Sequence, residues 1–407
     1  GLYQERSNPV SQKEYNSTPQ YLDEKRLIDL TKKLISIPSY HGLPIPEKEI
    51  SAFIYNYLKE EGLDVEQVAV EEERNNVIAS YGEEQDPDKT LMLEGHMDTV
   101  DVKNMTVDPF SGNIEKGKIY GRGSVDMKGA LAAMITALLT IKKAGIKLTG
   151  KAYFAGVVDE EFWYRGADHI AKNGPHPRYA VVGEPTALEI HNGHRGLIWI
   201  EIKVTGKYAH GGTPDKGINA IAKMNPIISE IQNTLLPEIK KRTHPITGPA
   251  LLNLGFIKGG TQPSTVAGDC ILQVDRRWLP EESQEAAVQE IQDIIDRLKK
   301  NDDQLKAEVS VMDDDIGIQF PPLVCEERSP VVKALVEASQ LIINGHTLSY
   351  FPAWTDGSIL SKYGGIETAV LGPGHLTSAH SEEEFCPVQD IIDACKIYIY
   401  TILNLCK

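Results

Sequence analysis

The stretch TLMLEGHMDTVD, residues 90–101, passes from an apolar run into His96 and Asp98. A lone His-x-Asp decides nothing: it fits a polar loop after a strand as well as a metal ligand held by a carboxylate. Other polar clusters bear on the choice. Asp126 lies in YGRGSVDMKG, Glu160 and Glu161 in the DEE of residues 159–161, Glu184 in GEPT, and His380 in GPGHLTSAHSEEE. Imidazole and carboxylate are nitrogen and oxygen donors that suit Zn²⁺ or a neighbouring divalent ion. Two ions about 3.5–4 Å apart need one bridging carboxylate and two further ligands each. The set supplies them: Asp126 to bridge, His96 and Glu184 for one ion, Glu161 and His380 for the other. Three carboxylates against two divalent ions leave a charge of about +1, which a bridging hydroxide neutralises. Glu160 is left over beside a ligand, where a general base belongs. Asp98 then accepts the ring N–H of His96 and fixes its tautomer.

Such a set needs a scaffold that gathers distant residues. Apolar spacing predicts helices over 24–36, 46–61 and 127–145, with strands over 75–81, 89–94, 151–158 and 178–184. Near-continuous apolar strands alternating with helices predict an α/β fold, its mostly parallel sheet covered by helices. Each cluster bar Asp126 follows the carboxyl end of a predicted strand (His380 that of 366–372), and Asp126 precedes a helix. In open α/β sheets, ligands bind at that edge. From residue 194 the texture changes. A strand at 196–206, a helix at 217–235, strands near 250–257 and 267–276, a helix at 281–301 and a strand near 305–312 spell a ferredoxin-like α+β pattern. The expected organisation is a catalytic domain over 20–193 and 315–407, interrupted by an inserted dimerisation or lid domain over 194–314.

Bulk properties narrow the classes. The net charge of −16 over 407 residues argues against a nucleic-acid or anionic-membrane partner. No apolar run approaches the roughly 18 residues of a membrane span. Five widely spaced cysteines without a C-x-x-C predict a reducing compartment and exclude a cysteine zinc site. The first twenty residues lack the apolar stretch of a signal peptide. The expected location is cytoplasmic. GRGSVD lacks the third glycine of a dinucleotide fingerprint. The acidic run Asp313–Asp315 reads as a solvated loop. His169, His176, His191, His194, His244, His346 and His375 read as surface or loop residues, with His194 and His375 as weaker candidates for lining the site.

The motifs GHMDTV, GRGSVDMKG, DEE, GEPT, GKYAHGGTPDKGINAI and GPGHLTSAHSEEE resemble the di-zinc metallopeptidase and amidohydrolase family. That family includes acetylornithine deacetylase, succinyl-diaminopimelate desuccinylase, aminoacylase and glutamate carboxypeptidase. The match keeps the family's order from about residue 25 to the C-terminus. The resemblance implies His96, Asp126, Glu161, Glu184 and His380 as ligands of two Zn²⁺ per chain, with Co²⁺ or Mn²⁺ as alternatives. It implies Glu160 as general base, Asp98 as the His-orienting aspartate, and a cis peptide after Asp126. It also implies that His210 in YAHGG reaches a partner subunit's active site to hold the oxyanion. Without the resemblance, His210 reads as an exposed turn histidine. Arg277 matches an arginine for the substrate carboxylate, with Arg276 expected as a surface ion-pair partner. Gly372 and Gly374 match a loop near the substrate. Ser264 and Ala267 depart from the family's pattern where relatives carry Asn and part of Val-Pro, which leaves the substrate open.

The implied activity is hydrolysis of the amide of a small N-acylated amino acid by a metal-bridged hydroxide. The implied assembly is a homodimer through the inserted domain. Carboxypeptidase, dipeptidase and carbamoyl-amide hydrolase activities remain alternatives on the same site. A non-catalytic metal-containing binding protein is the alternative of another class, and it has no need for Glu160.

Overall fold

Asp23 opens the first long helix, α1 (Glu24–Ser36), by accepting the backbone N–H of Arg26 at 3.0 Å. Its Leu27, Leu30, Leu34 and Ile35 form one buried stripe. The computed structural model describes residues 17–312 and 319–407. The run Asp313–Asp315 and the expected 314/315 boundary lie outside the described residues. In chain order follow α2 (Lys48–Glu60), β1 (Asp64–Glu71), β2 (Arg74–Tyr81), β3 (Thr90–His96), α3 (Gly129–Lys143), β4 (Lys151–Val157), α4 (Arg165–Asn173), β5 (Tyr179–Val182) and β6 (Ile190–His191). Then come β7 (Gly196–Thr205), α5 (Ala220–Glu230), β8 (Leu251–Gly259), β9 (Asp269–Trp278), α6 (Gln284–Lys299) and β10 (Lys306–Val311). The chain closes with α7 (Pro330–Ile343), β11 (Leu348–Ser349), α8 (Gly357–Lys362), β12 (Glu367–Val370) and α9 (Val388–Cys406).

Two compact units result. The first holds residues up to Gly193 together with Cys325–Phe351 and Thr355–Lys407. Its eight-stranded sheet has the order β1-β2-β4-β3-β5-β12-β6-β11. The central strands β4, β3, β5 and β12 are parallel neighbours, so their carboxyl ends share one edge. Strands β1 and β2 pair antiparallel at one side. Strand β3 is buried along its whole length, as its apolar run predicts. Its alternation faces Leu91, Leu93 and Gly95 toward α3, where a Cβ on Gly95 would meet Leu131 Cδ2 at 2.9 Å. Met92, Glu94 and His96 take the opposite face. Helices α1, α3, α7 and α9 pack against one another. By length and composition alone Ser124–Lys143 could cross a membrane, but the stretch kinks at Asp126 and Met127 before α3 begins and is 94% buried inside the fold, as the apolar centre of a packed unit is.

The second unit, His194–Val324 with Pro352–Trp354, carries a four-stranded antiparallel sheet of order β8-β9-β7-β10. This is the βαββαβ arrangement that the strand and helix spacing predicts. Ile198, Ile200, Ile202 and Val204 of β7 point into a core closed by α5 and α6. Trp199, Lys203 and Thr205 point away.

The same alternation corrects one expectation. Arg276 is buried on the helix-covered face, not on the surface. Its Nη2 lies 2.9 Å from Glu282 and 3.5 Å from Glu290, and its Nη1 donates to the Arg277 carbonyl at 2.7 Å. Arg277 points to the open face and pairs with Asp275 at 2.9 and 3.0 Å. Removing a buried guanidinium strands its carboxylates, whereas a half-exposed pair contributes little. Arg276→Ala should destabilise this unit by about 3 kcal/mol or more, and Arg277→Ala by less than about 1 kcal/mol. Thermal unfolding of the two variants checks this.

Candidate metal centre

Five loops at the carboxyl edge of the first unit's sheet bring the sequence-derived residues together. His96 ends β3. Its Nδ1 lies 2.7 Å from the backbone carbonyl of Asp98 and 3.5 Å from the Asp98 carboxylate. The backbone oxygen, rather than the expected carboxylate, therefore takes the ring N–H. The Asp98 carboxylate turns elsewhere: Oδ1 accepts the N–H of Glu160 at 3.1 Å and Oδ2 that of Glu161 at 3.0 Å. These two acids follow β4 through Asp159, which sits in the left-handed region at φ +68°. Glu184 follows β5. Asp126 precedes α3, and its peptide bond to Met127 is cis. His380 follows β12, also left-handed at φ +59°. Non-glycine residues accept this conformation when the surrounding structure imposes it, often at functional sites.

Two clusters share one residue. His96 Nε2 lies 2.9 Å from Asp126 Oδ1 and 3.2 Å from Glu184 Oε1. His380 Nε2 lies 3.1 Å from Asp126 Oδ2 and 3.1 Å from Glu161 Oε1. The donor atoms within each triad are within 4.8 Å of one another. Asp126 thus faces one oxygen to each cluster. Glu160 Oε2 stands 3.6 Å from His96 Nε2. His380 is half exposed and opens onto a groove of about 900 Å³ lined also by Asp101, Arg122, Glu382 and Glu383.

The electrostatics ask for cations. Burial, then the charge of Asp126, pushes Glu184 up to about 8. Burial raises Glu160 and Glu161 too, with Glu184 and Asp126 respectively adding to it. Hydrogen bonds to Asp126 and Glu161 push His380 up to about 11. Burial opposes the charged form of His96, but Glu184 and Glu160 hold its pKa well above the ordinary value. Burial also works against the Asp126 carboxylate, yet His380 and His96 keep it far below the usual range. Protons gather where positive charge is wanted. Among the described residues none donates a well-directed hydrogen bond to the buried Glu184 Oε1, although His96 Nε2 lies 3.2 Å away. An all nitrogen and oxygen donor set with an orphaned carboxylate oxygen fits divalent metal ions.

Residues 92–404 match peptidase family M20/M25/M40. The chain belongs to this family. It is 32% identical over 344 residues to an acetylornithine deacetylase of Vibrio campbellii, covering 83% of this chain and 86% of that protein. It is 28% identical over 408 residues to the N-formyl-4-amino-5-aminomethyl-2-methylpyrimidine deformylase of Bacillus subtilis, covering 94% and 95%. A tripeptidase from Staphylococcus aureus superposes with a TM-score of 0.79 at 25% identity, over 94% of this chain and 99% of that one. As a member of the M20/M25/M40 family, the chain is a metal-dependent hydrolase acting on amide bonds.

Several residues that brace this M20/M25/M40 site escaped the sequence reading. Glu47 is fully buried and takes Arg74 through Nε at 2.8 Å and Nη2 at 2.5 Å, and the N–H of Asp159 at 3.0 Å. Glu384 takes Arg122 at 3.0 Å and the N–H groups of Val125 and Asp126 at 3.1 and 3.4 Å. Arg122 also donates to the Ser381 carbonyl at 3.3 Å, so this pair ties the Asp126 loop to the His380 loop. Among the described residues, Glu94 and Asp356 are buried carboxyls without another hydrogen-bond partner, Glu94 pushed by burial to about 8 and Asp356 well above its usual range. One proton between them lets both stay dry.

Other expected residues lie elsewhere. His210 is an exposed residue of the second unit, its Nδ1 accepting the N–H of Gly212 at 3.0 Å. Arg277 belongs to that unit too. Ser264 accepts the N–H of Gly211 at 2.7 Å, and Ala267 is buried. Gly372 stands beside the site: a Cβ there would lie 2.2 Å from the Gly183 carbonyl oxygen, so glycine lets this loop press on the segment bearing Glu184. Gly374 has φ +78°. His191 and His194 are buried rather than surface residues, while His375 is exposed and accepts the N–H of Thr377.

Metal binding must displace the protons on Glu184, near 8, and His380, near 11. Falling pH restores those protons and competes with the ions. Affinity for zinc should therefore rise steeply from pH 6 to 8, with net proton release. Calorimetry in buffers of different ionisation enthalpy measures this, and a pH-independent affinity would contradict it.

Proposed function

We propose that the chain binds two Zn²⁺, with Co²⁺ or Mn²⁺ as substitutes, and hydrolyses the amide of a small N-acylated amino acid. The observation that carries this reading is the division of Asp126 between two histidine–carboxylate clusters with Glu160 alongside. His96, Asp126 and Glu184 would hold one ion, and Asp126, Glu161 and His380 the other. When bound, such ions supply Lewis acidity, acidifying water and polarising a carbonyl. Glu160 takes the proton from the attacking water and delivers it to the leaving nitrogen. The loop of Gly372 and Gly374 keeps the Glu184 segment in place, and Asp98 holds the amides of Glu160 and Glu161.

The substrate class rests on likeness to the deacetylase and the deformylase, both of which remove an acyl group according to their names. Likeness to the tripeptidase favours a second reading, a peptidase on the same centre. A panel of acyl-amino acids, di- and tripeptides and ureido acids separates the two by kcat/KM. We further assign a homodimer through the second unit. His210 would stabilise the oxyanion in the partner's site. Strand β8 supports this, as an edge strand with Phe256 and Ile257 exposed. Arg277 would receive the substrate carboxylate in exchange for Asp275. Five buried free thiols suit a cytoplasmic location.

Glu160→Ala should keep its zinc while losing turnover by about 10²–10⁴-fold. Elemental analysis and kinetics on one preparation read both, and unchanged turnover would remove Glu160 from its role. Sedimentation should give a dimer. A monomer with full activity would overturn the assignment of His210.

A further inference from the structure

His41, Glu47 and Asp98 offer three ligand atoms within 4.8 Å of one another, spacing that a further cation could accept. The local charges refuse it. Arg74 already occupies both oxygens of Glu47, and backbone N–H groups occupy both oxygens of Asp98. The arrangement is a brace rather than an ion site, and His41 is its outer member.

We propose that His41 is a positioning residue for the segment that carries Glu160 and Glu161. Its Nε2 lies 2.7 Å from Asp98 Oδ2. Both oxygens of Asp98 already accept backbone N–H groups, so its carboxylate is the acceptor here and the imidazole the donor. The proton therefore sits on Nε2. The same Oδ2 accepts the N–H of Glu161, and Oδ1 accepts that of Glu160. One carboxylate is pinned between an imidazole and two consecutive amides. The imidazole also lies against Phe162, with ring centroids 4.3 Å apart. Phe162 is 50% exposed, and its other ring contact is with Trp163 next to it. His41 thus grips residues 160–162 twice, through Asp98 and through the ring that follows Glu161.

The acids facing His41 are Asp98 directly, with Glu47 and Asp159 behind it, and Arg74 pairs with both of the latter. Neutral imidazole protonated at Nε2 and imidazolium donate the same bond, so the role is geometric and does not need a change of charge. A geometric role through Asp98 falls on the ion held by Glu161 and on the aim of Glu160, not on general substrate affinity. This inference rests on the roles given above to Glu160 and Glu161.

The test uses full-length wild type, His41→Phe and His41→Gln. Each metal-free protein is titrated with zinc by calorimetry, and kcat, KM and Tm are measured. His41→Phe keeps an aromatic ring against Phe162 but cannot donate to Asp98. It should weaken one of the two zinc sites by about 10–100-fold, leave the other unchanged, and lower kcat with KM nearly constant. His41→Gln, whose amide donates, should recover most of both losses. Wild-type zinc binding and kcat in His41→Phe would overturn the inference. So would a His41→Gln variant as impaired as His41→Phe. Wild type that binds no zinc would instead overturn the metal reading itself.

Discussion

Negative charge gathered at one edge of a parallel sheet is the constraint that organises this molecule. Asp126, Glu160, Glu161 and Glu184 meet within a few ångströms of two histidines, and most of them are out of water. Carboxylates so placed repel one another and lose solvation, so the site holds together only with positive charge in its middle. The backbone answers the same demand at short range. The amides of Val125 and Asp126 turn toward Glu384, and those of Glu160 and Glu161 toward Asp98. Bound cations would let these carboxylates stay charged at neutral pH.

Two buried arginine–glutamate pairs flank that centre in similar ways. Glu47–Arg74 supports the turn at Asp159, and Glu384–Arg122 supports the turns at Asp126 and Ser381. A buried ion pair is a poor source of stability, because desolvation offsets most of its attraction. Its use here is directional: a planar fork fixes the angle of the loop it grips.

The sequence made the candidate site residues legible because each of them stands next to a strong periodic element. His96, Glu160, Glu161, Glu184 and His380 follow apolar strands, and Asp126 precedes an apolar helix. The supporting residues gave weaker signals. Glu47 precedes α2 at its N-cap, in phase with the buried Ile50, Ile54 and Leu58, so a carboxylate in an apolar phase was the available clue. His41, Arg74, Glu384 and Asp356 find their partners only through tertiary contact, and spacing says nothing about that. Strand β1 was missed because no residue in it is buried and its partner is a single neighbouring strand. The direction of Arg276 and Arg277 was decided by strand register, which the dipeptide alone leaves open.

The sheet order carries a consequence for synthesis. Strand β12 pairs with β5, and the chain between them makes the whole second unit. A ribosome releasing this chain from its N-terminus delivers β3, β4 and β5 early, along with four of the five proposed ligands. The flank of β5 then waits as an open edge, a template for stray pairing, until residues 367–370 emerge. His380 arrives ten residues later still. The cell must therefore shield a nearly finished half-sheet, rich in carboxylates and short of one histidine, throughout the making of the insert.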